Sequence, residues 1–143
     1  MKEICLTSQD YRTLLKGIYT FIIESYTEYE QSIQYSTNSI LTLNLYNISL
    51  DILSTLGIPR MISLNEYKSL SKRLDTMNFD TQELSANTVE RLVYNLSKLE
   101  NTLDILTDIT IASNSDTRLE TIERYRNQLD TSRNLLEMLG LKR

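Results

Sequence analysis

Histidine is absent from this chain of 143 residues, and glycine, proline and cysteine are scarce. Without histidine, the chain lacks the commonest general base, the usual imidazole ligand of zinc and iron, and the base that activates a serine or cysteine nucleophile. No glycine-rich phosphate-binding loop of the dinucleotide or P-loop type occurs either. We therefore expect a non-enzymatic protein with no catalytic residue, no metal ligand and no cofactor.

The few glycines and prolines also limit the fold. Three glycines and one proline are too few for the many turns of a β-sandwich or an α/β fold. Cys5 is the single cysteine, so no intrachain disulfide can form, as is usual inside cells. Residues 1–5 lack the apolar core of a signal peptide, and no run of about 18 apolar residues occurs. We expect an intracellular protein with no membrane span.

Charge and length point to one globular domain without a nucleic-acid footprint. The formal net charge is −4, whereas proteins that wrap nucleic acid carry a basic surface. Hydrophobic residues make up 41% and charged residues 24% of the chain, which are values typical of globular proteins. No linker rich in Gly, Ser or Pro divides the sequence, so residues 1–143 form one domain in this interpretation.

Apolar residues recur in steps of three and four along most of the chain, which predicts amphipathic helices. Residues 77–86 are expected to form a loop, with room for a turn of helix after Asp80. Long helices joined by short loops favour antiparallel neighbours. The prediction is an all-α, antiparallel four- to five-helix bundle. The predicted helices span about 8–36, 39–56, 64–76, 87–112 and 117–140.

Residues 40–52 leave two alternatives open. Leucine alternates with polar residues in Leu41-Thr42-Leu43-Asn44-Leu45, as in a strand, and this would give a hairpin. A helical stripe fits the same segment, and Gly57 with Pro59 then forms a normal helix stop. We favour the helix. Ser8, Ser63 and Asn87 are the expected N-caps of the first, third and fourth helices, and Gly140 is the expected C-cap of the last.

The most informative feature is a charge-poor segment, Gln31–Pro59, in which Asp51 is the only formal charge. It predicts either a central helix enclosed by the rest of the bundle or a subunit interface, because interfaces are depleted in charge and rich in tyrosine. Tyrosines that leave the main stripe of the first helix fit the interface. The candidate interface residues are Tyr19, Tyr35, Ile40, Leu43, Leu50 and Leu53.

Two charged groups have competing interpretations. Arg124, Arg126 and Arg133 alternate with acidic residues on the last helix, which is typical of a solvated face with salt bridges. The alternative is that these arginines bind phosphates or an acidic partner. Acidic residues near the end of the first helix (Glu24, Glu28 and Glu30) are interpreted as a solvated acidic face, with a cation site as the alternative.

Isoleucine, tyrosine, serine and threonine are abundant, alanine and valine are rare, and arginine outnumbers lysine nine to six. This composition resembles that of small structural proteins from viruses of hyperthermophilic crenarchaea. The helix layout is similar to the coat proteins of the large tailed, spindle-shaped viruses. That resemblance implies a helical bundle that self-associates in a particle shell. A related small bundle in such a virus inhibits the host RNA polymerase. The resemblance rests on no motif, so it implies no individual functional residue.

These observations lead to two hypotheses. The first is a structural protein that self-assembles through a charge-poor helical surface, such as a viral coat or virion protein. The second is a small helical binding module that inhibits or regulates a host macromolecule such as RNA polymerase. The expected partner is the protein itself, with a host protein as the alternative and nucleic acid contacted only within an assembly. The expected location is the host cytoplasm or the virion.

Overall fold

The chain folds into five helices and one small pair of strands in a computed structural model that describes residues 2–35, 39–60, 63–112 and 118–140. The side chains of residues 32–35, 39 and 118 lie outside the described set. In chain order the elements are β1 (Ile4–Leu6), α1 (Ser8–Tyr35), α2 (Ser39–Thr55), α3 (Leu64–Arg73) with a 3-10 turn (Leu74–Thr76), β2 (Gln82–Leu84), α4 (Ala86–Ala112) and α5 (Arg118–Met138).

Four of the helices form a closed ring. The most extensive contacts join α1 to α2, α4 to α5 and α2 to α4, while a smaller contact between α1 and α5 closes the ring. The short helix α3 packs on the outside of α1. The predicted all-α helical bundle is therefore confirmed.

The four ring helices alternate in direction. Gly17 of α1 lies beside Leu135 of α5, whereas Glu28, farther along α1, pairs with Arg124, nearer the start of α5. These two helices are therefore antiparallel. Only three residues separate α1 from α2 and five separate α4 from α5, which favours antiparallel neighbours there as well.

This alternation defines two ends of the bundle. The upper end holds the C-terminal ends of α1 and α4 and the N-terminal ends of α2 and α5. The lower end holds the opposite termini. The strands belong to the lower end, because β1 precedes α1 and β2 precedes α4. They pair antiparallel, with Ile4 opposite Leu84 and Leu6 opposite Gln82.

Leucine and isoleucine fill the core inside the ring. Each helix contributes the side of its surface on which apolar residues recur every three or four positions. Burial of each such side chain stabilises the fold by about 1.5–3 kcal/mol relative to exposure. Fully buried members include Ile18, Phe21, Ile22, Leu45, Ile52, Leu92, Leu96, Leu99, Leu103 and Leu136.

Residues 40–52 are helical, so the favoured alternative is confirmed and the hairpin is wrong. The helix ends where Gly57 adopts a φ of 76°, a conformation that L-residues with a side chain rarely take. The N–H of Gly57 donates to the carbonyl of Ser54 at 2.9 Å, which satisfies one of the last carbonyls of the helix.

The expected caps were right at some ends and one or two residues late at others. Ser63 caps α3 through its bond from the Glu66 N–H, and the helix stop at Gly140 has a φ of 95°. The cap of α1 is Thr7, whose hydroxyl accepts the Asp10 N–H, rather than Ser8. The cap of α4 is Ser85, whose hydroxyl accepts the N–H three residues on, rather than Asn87.

The segment 77–86 is another correction. A loop was expected there, but residues 82–84 form β2 and pair with β1. Leu84 is buried beneath the helices, and Phe79 packs edge-to-face on Tyr11 of α1 with ring centroids 5.3 Å apart. Contacts with residues far away in the sequence therefore order this connection.

Candidate functional site

The predicted interface residues of α2 divide between surface and core. Ile40 is 75% exposed, and Leu43 is partly buried. Leu50 and Leu53 lie in the core at 3% and 1% exposure, so they cannot contact another molecule in this conformation. The reason is that α2 packs against α1 on one side and α4 on the other. Most of its apolar residues serve those two contacts.

The side of α2 that faces solvent is polar but carries little charge. Its exposed residues include Asn44, Asn47, Asp51 and Ser54, and Asp51 is the only charge among them. The helix of the charge-poor segment is therefore not enclosed by the bundle. It is buried where it meets α1 and α4, and its outer surface is exposed and, apart from Asp51, uncharged.

Of the two tyrosines of the predicted interface, Tyr19 does not have a surface role. Tyr19 is 4% exposed, and its ring lies 6.0 Å from that of Tyr67, centroid to centroid, at a tilt of 47°. Burial raises the pKa of Tyr19 above its usual value, and the neighbouring Tyr11 and Tyr67 add to the shift. Tyr19 is therefore a core residue. The side chain of Tyr35 lies outside the described residues.

Five large aliphatic side chains are instead exposed near the upper end. They come from the start of α2, the last two turns of α4 and the start of α5. Ile105 and Ile109 share the outer face of α4, because residues four apart are neighbours on a helix. These residues, called the upper aliphatic group below, are Ile40, Ile105, Ile109, Ile111 and Leu119.

Sequence reasoning found only Ile40 of this group. Ile109 follows buried Leu106 by three residues, the spacing of one helix face, yet it is 40% exposed. Ile105 and Ile111 lie outside the row of buried residues of α4, and this spacing was the signal in the sequence that they are exposed. Exposed apolar residues that share one region mark interaction surfaces more often than isolated ones do.

The three arginines of α5 do not form one binding surface. Arg124 pairs with the buried carboxylate of Glu28 across the α1–α5 interface. Arg133 Nε lies 3.2 Å from Glu100 Oε1 of α4, so this arginine ties α5 to its other neighbour. Arg126 and Arg133 are both exposed, and of these two only Arg126 forms no ion pair with the residues that the structure describes. Two of the three predicted residues thus act within the bundle.

Glu24 and Glu28 lie in the same α1–α5 interface, so the solvated acidic face was wrong for both. Glu28 is 7% exposed, and Glu24 Oε2 accepts the Nε2–H of Gln128 at 2.7 Å. Burial raises the pKa of both carboxyl groups, although Arg124 acts in the opposite direction. Tyr125 hydrogen-bonds to Glu28, and its own pKa is raised by burial first and by Glu28 second. Glu30 is exposed, as expected.

The lower half of the α1–α5 interface is an open polar groove of about 440 Å³. Gly17 lets the two helices approach there, since a Cβ at this position would lie 2.9 Å from Leu135 Cδ1. The threonines of α1 that face the groove donate their hydroxyls to carbonyls of their own helix. The groove is lined by Gln9, Thr13, Lys16, Gly17, Thr20, Thr131, Asn134 and Leu135.

Two kinds of site are not found in the part of the chain that the structure describes. It has no group of three or more Cys, Asp or Glu side chains that could hold a metal ion. None of its helices combines the length and apolar character needed to cross a bilayer. Comparisons with known protein families, curated proteins and solved structures give no match, so the functional argument rests on the residues of this chain.

Proposed function

We propose that this protein is a non-enzymatic structural protein that assembles with copies of itself through the upper end of its bundle. The observation that carries the proposal is the upper aliphatic group, with Ile40 75% exposed and Leu119 73% exposed. A viral coat or virion protein is one form that such a function takes, and it agrees with the resemblance in composition.

The uncharged surface beside this group favours burial against another protein. The nearby exposed side chains of α2 include Asn44 and Asn47, which cost less to desolvate than charged groups do. Interface cores are depleted in charge for the same reason. Exposed acids that adjoin members of the group in the sequence include Asp104 and Asp108 of α4 and Glu120 of α5, which are suited to the rim of a contact.

The expected affinity is modest. Full burial of a leucine or isoleucine side chain contributes about 1.5–3 kcal/mol, and several members of the group are already half covered. Association costs roughly 4–15 kcal/mol in lost translational and rotational freedom. A few such side chains therefore give a weak pairwise contact. Weak contacts repeated over many copies are suited to an assembly that grows with concentration.

A binding module for a host macromolecule is the second candidate. It would use the exposed arginines of α5, and Arg126 is available for this. Arg124 and Arg133 already pair with Glu28 and Glu100. Among the described residues this leaves Arg126 as the one predicted arginine outside an ion pair, which makes this candidate the weaker one. Contact with nucleic acid is proposed only within an assembly, where Arg126 from many copies adds up.

The test is light scattering on a size-exclusion column over a roughly hundredfold range of protein concentration, because association follows mass action. We expect the wild-type chain to grow in mass with concentration. The double variant Ile105→Ser, Ile109→Ser should stay at a lower mass. Met77→Ser is the matched control, because Met77 is exposed to 39% and Ile109 to 40% while Met77 lies outside the group.

The outcomes separate the two candidates. A wild-type chain that remains monomeric at every concentration refutes self-assembly. A monomer that is nevertheless captured by an acidic host protein, with capture lost in Arg126→Ala, supports the binding module. If the wild type grows and the double variant grows equally, assembly occurs but uses another surface.

A further inference from the structure

The upper half of the α1–α5 interface places two carboxyl groups against one guanidinium group. Glu24 and Glu28 lie one turn apart on α1, and Arg124 is the cation that acts on both. Glu120 adds a further negative charge near Glu28. When all these acids are ionised, the group carries excess negative charge in a place largely removed from water. Carboxylates in that situation repel each other and favour uptake of a proton.

Gln128 provides an independent indication of where that proton resides. This side chain is 2% exposed, and its Nε2–H donates to Glu24 Oε2. Its Oε1 is buried and receives no hydrogen bond from any residue that the structure describes. Buried acceptors without a donor are rare in folded proteins. A protonated carboxyl group carries an O–H donor that a carboxylate lacks, so a neutral Glu24 would be able to satisfy this oxygen, although the bond from Nε2–H by itself lowers the pKa of Glu24.

We propose that Glu24 holds a bound proton beside Glu28 and makes the α1–α5 interface a pH-sensitive contact. While the proton is bound, α5 is held firmly against α1. Once it is lost, repulsion between the two carboxylates weakens that side of the ring. The inference does not depend on self-assembly, because it concerns a contact within one chain.

The groups around the two carboxyl groups explain why the α1–α5 contact responds to pH. From α5, the groups that face them are Arg124, Tyr125 and Glu120. From α2, the one charged residue is Asp51, which is exposed and takes no part in the shifts. The α1–α5 contact is also the smallest of the four in the ring, and its lower half is the polar groove. Fewer contacts therefore compensate here than at the other helix pairs of the ring when repulsion sets in.

The direction of the pH effect follows from the shifts. Burial raises the pKa of Glu24 and of Glu28 above the ordinary value of 4.5, and outweighs the attraction of Arg124. A group whose pKa is raised by folding stabilises the fold most below its unfolded pKa. That contribution is lost as the pH rises through the raised value. Stability from this interface is therefore greatest near pH 4.5 and below, and declines towards neutral pH.

The experiment uses the full chain and follows the side-chain carboxyl carbons of glutamate by NMR as the pH is raised. We expect the Glu24 and Glu28 signals to titrate at a higher pH than that of exposed Glu30. In parallel, urea midpoints are measured across the same range. The wild-type midpoint should fall as the pH rises above 4.5, Glu24→Gln should fall less, and Glu30→Gln should follow the wild type.

The proposal is overturned if Glu24 and Glu28 titrate together with Glu30, or if Glu24→Gln keeps the full pH dependence of the wild type. Should Glu24→Gln fail to fold, the NMR titration of the wild type decides alone. A self-association test can fail without affecting either result, because both measurements are made at a concentration where the chain has one mass.

Discussion

Replacement of Gly17 by alanine tests the packing of α1 against α5. In an exposed helix interior, glycine to alanine stabilises by about 1 kcal/mol, because alanine is the better helix former. Here the new Cβ would lie 2.9 Å from Leu135 Cδ1 and 3.3 Å from Thr131 Cγ2. Leu135 is 1% exposed, so its side chain has little room to move aside. Overpacking of this kind costs about 1–3 kcal/mol.

The steric cost should exceed the gain in helix propensity. We expect Gly17→Ala to destabilise the protein by up to about 2 kcal/mol, which corresponds to roughly 3 °C per kcal/mol in a domain of this size. Thermal and urea unfolding measure the effect. Thr13→Ala is the control, because it changes helix propensity at an exposed position of α1 that borders the open groove.

A double-mutant cycle identifies the clash. Leu135→Val removes both δ-carbons of this side chain. Because the two residues are in direct contact, Leu135→Val should lower the free energy of unfolding by about 1 kcal/mol less in the Gly17→Ala protein than in the wild type. A Gly17→Ala protein that unfolds at a higher temperature than the wild type would refute the steric argument. If the two substitutions have additive effects on the free energy of unfolding, the clash does not involve Leu135.

Two further substitutions test contacts of α4. Arg133→Met removes the ion pair of buried Glu100. The side chain of Arg133 is 47% exposed, so the free energy of unfolding should fall by an intermediate amount. Surface pairs contribute ~0.2–1 kcal/mol, and breaking a buried pair costs ~3–5 kcal/mol. Urea unfolding at neutral pH measures it, and no loss would contradict the pairing. Ser85→Ala should cost about 1 kcal/mol because it removes the N-cap of α4. Asn87→Ala is its control, and an equal loss there would favour Asn87 as the cap.

The helices were predictable because the physics that forms them is local. Apolar residues at steps of three and four gave α1, α2 and α4 nearly to their ends, and Gly57 marked the stop of α2 through its positive φ. The strand β2 was not predictable in the same way. Residues 82–84 have no strand pattern of their own, and they are extended because β1, almost 80 residues earlier, provides the hydrogen bonds.

The candidate site was less predictable because helical periodicity shows which residues share a face but not what that face meets. Glu24 and Glu28 have the spacing of a solvated acidic pair, yet that side of α1 meets α5. Tyr19 lies off the main stripe of α1 and was assigned to the surface, but α3 covers it with Tyr67. Both errors arise from contacts between helices that are far apart in the chain.

The smaller contact that closes the helix ring also places the start of α1 and the end of α5 at the same end of the bundle. α1 begins and α5 ends at the lower end, where Gln9 and Asn134 line the same groove. A short peptide could therefore join the two ends, and the chain could be reopened between α1 and α2, where the sequence connection is three residues long. Such a circular permutant should keep the ring of helices. A fused reporter at either end would likewise project from the lower end and leave the upper aliphatic group uncovered.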